Sequence, residues 1–153
     1  MTTLRNLRRL AAATLLLAAV VAPSVSPAAA APTGSAAHHA VVRAIIEPPL
    51  PVEEFPPQVD EACHIWRGLG WPTADRPRDY PAGDGLVIRG SNVYGNRSGD
   101  LPKDGRYREY DVNPRTLGTH RDAERLVRNP DTRTVWYTDD HYNNFREITS
   151  GCS

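Results

Sequence analysis

Asp104-Gly105-Arg106-Tyr107-Arg108-Glu109-Tyr110-Asp111-Val112 is the stretch that decides the fold. A Gly-containing turn signal leads into six residues in which Tyr and Val are interleaved with charge, the pattern of a half-buried strand entered from a hairpin. Working outward, the same reading repeats on both sides. Leu86 to Tyr94 is a preceding strand, interrupted at Gly90 by a bulge. Ala123 to Arg128 and Thr134 to Thr138 follow, joined by the turn-forming Asn129-Pro130-Asp131, and Phe145 to Thr149 is a short last strand. Upstream, Asp60 to Leu69 places Ala62, Ile65, Trp66 and Leu69 at i, i+3, i+4 and i+7, a helix that Gly70 and Pro72 end. Thr73 to Gly85, rich in Pro, Asp and Gly, reads as loop. One helix followed by strands at hairpin spacing predicts an α+β domain, an N-terminal helix packed on a twisted antiparallel β-sheet.

The chain outside this block differs in composition. Met1 to Arg9 holds Arg5, Arg8 and Arg9 and no acid, Leu10 to Ala22 is a small and apolar run, and Ala28-Ala29-Ala30 offers the small residues of a cleavage site. Residues 1–30 read as a secretory signal peptide, the apolar run being too short for a membrane span. The mature protein is therefore expected outside the cell, with no membrane association. Residues 31–57 carry six prolines and three glutamates and read as an extended, solvated extension or pro-segment, with Ala40 to Ile46 as an apolar island in it. The domain proper is placed at residues 58–153.

Composition excludes several classes. Fourteen prolines in 153 residues argue against a helical bundle along the whole chain. Two cysteines cannot form a four-thiolate zinc site. In an exported chain, Cys63 and Cys152, 89 residues apart, are expected to form a disulfide, which also leaves no free thiol nucleophile. The full chain is neutral; without the three arginines of residues 1–30, residues 31–153 carry 15 basic and 18 acidic residues, a net of −3. Bulk charge therefore gives no sign of a nucleic-acid binder, and function must come from a site.

Four short motifs stand in order along the strand block. They are Asn96-Arg97-Ser98-Gly99-Asp100-Leu101-Pro102, the Glu109 strand, Arg121-x-x-x-Arg125 followed by Leu126-Val127, and Asp140-His141-Tyr142-x-x-Phe145. Taken singly each is weak, because a strand Glu, a spaced Arg pair or a His beside acids usually lies on a solvated surface. Together they resemble the secreted microbial ribonucleases, the barnase-like and guanyl-specific Streptomyces-type group, over roughly Gln58 to Cys152. The resemblance implies the microbial ribonuclease fold and a metal-independent endoribonuclease acting on single-stranded RNA as a monomer. It assigns Glu109 as general base, His141 as general acid, and Arg121 and Arg125 as the phosphate-binding pair. Tyr94, Asn96, Arg97, Ser98 and Tyr142 become the base-binding residues.

That chemistry suits these residue types. A proton must leave the ribose 2′-OH and another must reach the departing 5′ oxygen, so a carboxylate and an imidazole flank the phosphate. Fixed guanidiniums stabilise charge on the non-bridging oxygens. The substrate supplies its own nucleophile, so no cofactor or metal is expected. The chain departs from the family in its base-reading loop: where the family has a Glu that reads guanine, this sequence has Ser98. A hydroxyl cannot accept two parallel bonds as a carboxylate does. A weakened guanine preference is expected, and Asp100 would need a loop shift to take over. The changed loop motivates the competing reading, a secreted RNA-binding or toxin-like module of the same fold with little activity. The resemblance also implies, as a protein partner, a small acidic inhibitor of the barstar type.

Overall fold

A computed structural model describes residues 44–153. The signal peptide read at 1–30 and the segment up to residue 43 lie outside the described residues. The elements in chain order are β1 (Ile45–Leu50), a short 3-10 turn (Val52–Glu54), α1 (Pro57–Gly68), β2 (Arg78–Pro81), β3 (Val87–Tyr94), β4 (Tyr107–Asp111), β5 (Arg125–Arg128), β6 (Val135–Thr138) and β7 (Asn144–Ile148). The strands form one seven-stranded sheet in the order β1-β7-β6-β5-β4-β3-β2. Neighbours from β2 to β7 pair antiparallel. The exception is β1, which pairs parallel with β7 through Ile45–Asn144, Ile46–Phe145 and Glu47–Arg146.

The expected helix on an antiparallel sheet is therefore corrected. The described chain is strand-dominated, a seven-strand mixed sheet with one 12-residue helix. Two edge strands account for the difference. β1 lies inside the proline-rich 31–57 segment, and its register breaks between Glu47 and Leu50, where Pro48 and Pro49 sit. Proline removes a donor but leaves the backbone extended, so it is tolerated on an outer strand. β2, Arg78-Asp79-Tyr80-Pro81, ends in a proline and closes the opposite edge against β3.

α1 begins with Pro57 at its first position, where a missing N–H costs nothing. It ends on Gly70, whose φ of +71° lets the Gly70 N–H reach the Arg67 carbonyl and the Trp71 N–H reach the Trp66 carbonyl. Its buried residues Val59, Ala62, Cys63 and Trp66 join Ile88, Tyr110, Leu126, Val135 and Ile148 of the sheet in the main core. The Trp66 indole donates to the Asp111 carbonyl at 2.9 Å, tying the helix to β4. Cys63 of α1 and Cys152 are disulfide-bonded, as expected. A second cluster contains Leu101, Tyr107, Val127, Trp136 and Phe145, with Ala44, Tyr94 and Tyr142 packed against it.

Strand alternation decides what faces the second cluster. Along β4, Arg108 and Tyr110 alternate with Tyr107, Glu109 and Asp111, and Tyr110 belongs to the main core whereas Tyr107 belongs to the second. The bulge expected at Gly90 is present as a register shift between Gly90 and Asn92. A Cβ on Gly90 would lie 2.8 Å from the Tyr110 Cα, so no larger residue fits this close approach of β3 to β4. The bulge brings Asn92 opposite Glu109. Among the described residues no helix is long and apolar enough to cross a membrane.

Candidate active site

Glu109 and Asp111, two residues apart on β4, share the face that carries Tyr107. Their cross-strand partners on β5 are Val127 and Arg125. Arg121 reaches the same place from the loop before β5. Its Nη2 donates to Glu109 Oε1 at 2.7 Å and also to Asp111 Oδ1, while its Nε donates to Asp111 Oδ1 at 2.9 Å and Oδ2 at 3.1 Å. Arg125 Nε stands 3.4 Å from Asp111 Oδ1 and 3.7 Å from Glu109 Oε1, and its Nη1 donates to the Glu124 carbonyl at 2.7 Å. The result is a quartet of two carboxylates and two guanidiniums. Side-chain exposure falls from 27% at Arg121 to 13% at Glu109, 4% at Arg125 and 3% at Asp111, so Arg121 and Glu109 form its open end.

The two carboxylates are driven in opposite directions. Burial pushes the Glu109 carboxyl up, but hydrogen bonds from Arg121 and Tyr142 and the charges of both arginines outweigh it, leaving it below the usual Glu range. For Asp111 burial dominates over Arg121 and Arg125, and the neighbouring Glu109 charge adds to it, so this carboxyl is raised. Two nearby carboxyl groups separated in this way divide the work: Glu109 is ionised first and is the one equipped to accept a proton.

His141 sits on the β6–β7 turn, exposed at its tip. His141 and Tyr142 both have positive φ, 59° and 78°, a conformation that costs ordinary residues energy and persists only when the surroundings enforce it. The enforcing groups are Thr138 and Asp140. Thr138 Oγ1 accepts from the Tyr142 N–H at 2.9 Å, and Asp140 Oδ1 accepts from the N–H groups of Asn143 and Asn144 at 2.9 and 3.0 Å. The Tyr142 hydroxyl donates to Glu109, and its ring lies 4.7 Å from the His141 ring and 4.9 Å from the Tyr94 ring, centroid to centroid. Burial, then the Glu109 charge, raises the Tyr142 phenol and keeps it a donor.

The loop between β3 and β4 closes on itself. Asn96, at φ 43°, spends its side chain within the loop: Nδ2 donates to the Leu101 carbonyl at 2.9 Å and Oδ1 accepts from the Leu101 N–H at 3.1 Å. Ser98 donates to Asp100 Oδ2. Tyr94, Asn96, Arg97 and Ser98 line a cleft of about 580 Å³ with Lys103, Arg106 and Arg108. A second cleft, of about 490 Å³, holds Arg89, Arg115, His120 and Arg121. Glu109 and His141 line neither cleft and stand on the more open sheet face between them.

Over residues 44–149 the sequence matches the family model for ribonuclease. The chain belongs to the ribonuclease family. Comparison with curated proteins finds no match. In this ribonuclease, Glu109, Arg121 and Arg125 come together as one group, and Tyr94, Tyr142 and His141 form a row of rings beside it. Arg97 is exposed on the loop, away from the quartet. Asn96 acts as the brace of the loop rather than as a free side chain. The sequence reading missed Asp111, although its signal was present: an acid two residues beyond Glu109 on a strand must share its face. It also missed Thr138 and Asp140, which hold the turn under His141, and Asn92, whose Nδ2 lies 3.5 Å from Glu109 Oε2.

Proposed function

We propose that this ribonuclease is a secreted endonuclease that cleaves single-stranded RNA without a metal ion, by way of a 2′,3′-cyclic phosphate, and with a weakened preference for guanine. In the first step Glu109 takes the proton of the ribose 2′-OH. The 2′ oxygen bonds to phosphorus, the bond from phosphorus to the 5′ oxygen breaks, and His141 protonates the departing oxygen. In the second step the roles reverse: His141 activates water, which opens the cyclic ester, and Glu109 returns its proton to the 2′ oxygen, leaving a 3′-phosphate. Arg121 and Arg125 stabilise the charge that builds on the non-bridging oxygens. Tyr94 and Tyr142 offer ring faces for the base.

The observation that carries this reading is the Glu109 carboxylate. It is held ionised between two guanidiniums, at the open end of the quartet, with only the Tyr142 ring between it and the imidazole of His141. The basic start, apolar run and small-residue exit of residues 1–30 support export. Action as a monomer and control by a small acidic inhibitor belong to the same proposal.

Digestion of a defined oligoribonucleotide, with the product ends identified, tests it. Cyclic and then 3′-phosphate ends should appear in the presence of EDTA, and Glu109→Gln or His141→Gln should lower the rate by at least a hundredfold while each variant stays folded. Products with 5′-phosphate ends, or near-wild-type rates in either folded variant, contradict the mechanism. N-terminal sequencing of the protein recovered from the medium tests the leader, with a start after Ala30 expected.

A further inference from the structure

The base-binding loop contains a carboxylate with no role in the mechanism above. Asp100 lies between two fixed donors: Ser98 donates to its Oδ2, and the Ala44 N–H donates to its Oδ1 at 2.8 Å. Neither donor can drift. Ser98 sits inside a loop that Asn96 closes through both backbone groups of Leu101. Ala44 packs against the cluster that includes Tyr94 and Tyr142, and the next residue, Ile45, donates its N–H to the Asn143 carbonyl at 2.9 Å. The Asp100 charge also bears on the Tyr94 phenol, which burial and then Asp100 raise, so the carboxylate lies close to one of the two ring faces.

A carboxylate has about four lone-pair positions, two on each oxygen. Ser98 and Ala44 use one on each, which leaves one free on each oxygen, a pair side by side. Two parallel acceptors fit two adjacent N–H donors, and charge makes such bonds short and strong. Among the RNA bases only guanine presents adjacent donors, N1–H and N2–H, on its pairing edge. Adenine offers an acceptor at N1, which a carboxylate repels.

We infer that Asp100 is the specificity-determining residue of this ribonuclease: held by Ser98 and the Ala44 N–H, its carboxylate reads the paired N–H donors of guanine. The inference rests on the ribonuclease reading of the site. It assigns Ser98 a positioning role, orienting the acceptor rather than contacting the base. No shift of the loop is required, because the carboxylate already stands beside Ser98.

The test compares guanosine 3′-monophosphate with adenosine 3′-monophosphate in binding, and GpU with ApU in cleavage, for the wild type, Asp100→Asn and Asp100→Glu. The wild type should favour guanine in both assays. Asp100→Asn should reduce the guanine-to-adenine ratio at least tenfold with the ApU rate within about twofold of wild type, since the group reads the base and not the phosphate. Asp100→Glu should recover part of the ratio. If Asp100→Asn does not fold, Ser98→Ala replaces it and should lower the ratio several-fold by releasing Oδ2. An unchanged ratio in a folded variant overturns the inference, as does a wild type that binds the two nucleotides equally. Guanine-selective binding that depends on Asp100 in a protein that cleaves neither dinucleotide upholds the inference and overturns the proposed function.

Discussion

Asp111 is the residue on which most of the site's charge converges. It takes three hydrogen bonds from Arg121 and lies 3.4 Å from Arg125, almost wholly out of water. Removing one member of a buried ionic group leaves the others uncompensated, at a cost of about 3–5 kcal/mol. Asp111→Asn is therefore expected to lower the unfolding free energy by that amount in urea titrations, and an unchanged midpoint would show that Glu109 alone satisfies both arginines. The two carboxylates also act oppositely on pH dependence. The lowered pKa of Glu109 contributes stability above the ordinary Glu range that is lost as pH falls through its folded value. The raised pKa of Asp111 contributes stability at low pH that is lost as pH rises from the ordinary Asp range through its folded value. Glu109→Gln should flatten the acid side of a plot of urea midpoint against pH; equal slopes for variant and wild type would mean that Glu109 titrates normally.

At the scale of elements, the β6–β7 turn converts local hydrogen bonds into the placement of His141. The Asp140 carboxylate accepts from two successive backbone N–H groups and from the Thr138 hydroxyl at 3.2 Å. Asp140→Ala should lower stability by about 1–3 kcal/mol, given the usual worth of bonds to a charged group. It should also reduce kcat more than it raises KM, because the imidazole loses its support while phosphate binding is untouched. Steady-state kinetics with thermal melts checks both, and a change confined to KM would argue against this role. The sequence made such elements unequally legible. β3 to β7 follow alternation and turn residues closely enough to read within a few positions, and with them came Glu109, Arg121, Arg125 and His141. β1 and β2 did not, because prolines hide an edge strand behind the composition of a loop. Pairing partners cannot be read from one segment: that Ile45–Leu50 lies parallel to a strand about 100 residues later is decided by tertiary packing. Asp111 was overlooked for a different reason, since a charged strand residue looks solvent-facing until the arginines that cover it are located.

On the scale of the whole molecule, the chain is joined end to end. β1 hydrogen-bonds β7, the Ala44 N–H holds the loop near the middle of the sequence, and the Cys63–Cys152 disulfide fastens α1 to the last residues. A crosslink closing 89 residues restricts the unfolded chain by about 4 kcal/mol in the loop-entropy view. Reduction should thus lower the urea midpoint markedly while the sheet and some activity persist below the transition; an unmoved midpoint would mean that packing of Cys63 and Cys152 alone fixes the terminus.

The parallel pairing of β1 with β7 also bears on when the enzyme can first act. Synthesis runs from the amino end, yet the strand that receives β1 begins only at Asn144, and His141 precedes it by three residues. A nascent chain still bound to the ribosome has its final few dozen residues enclosed in the exit tunnel, so it presents α1 and most of the sheet but neither the acid of the proposed mechanism nor the strand that seats Ala44. The order of translation itself thus delays cutting until the polypeptide has been released, and the messenger RNA that encodes the protein is out of its reach while it is being read.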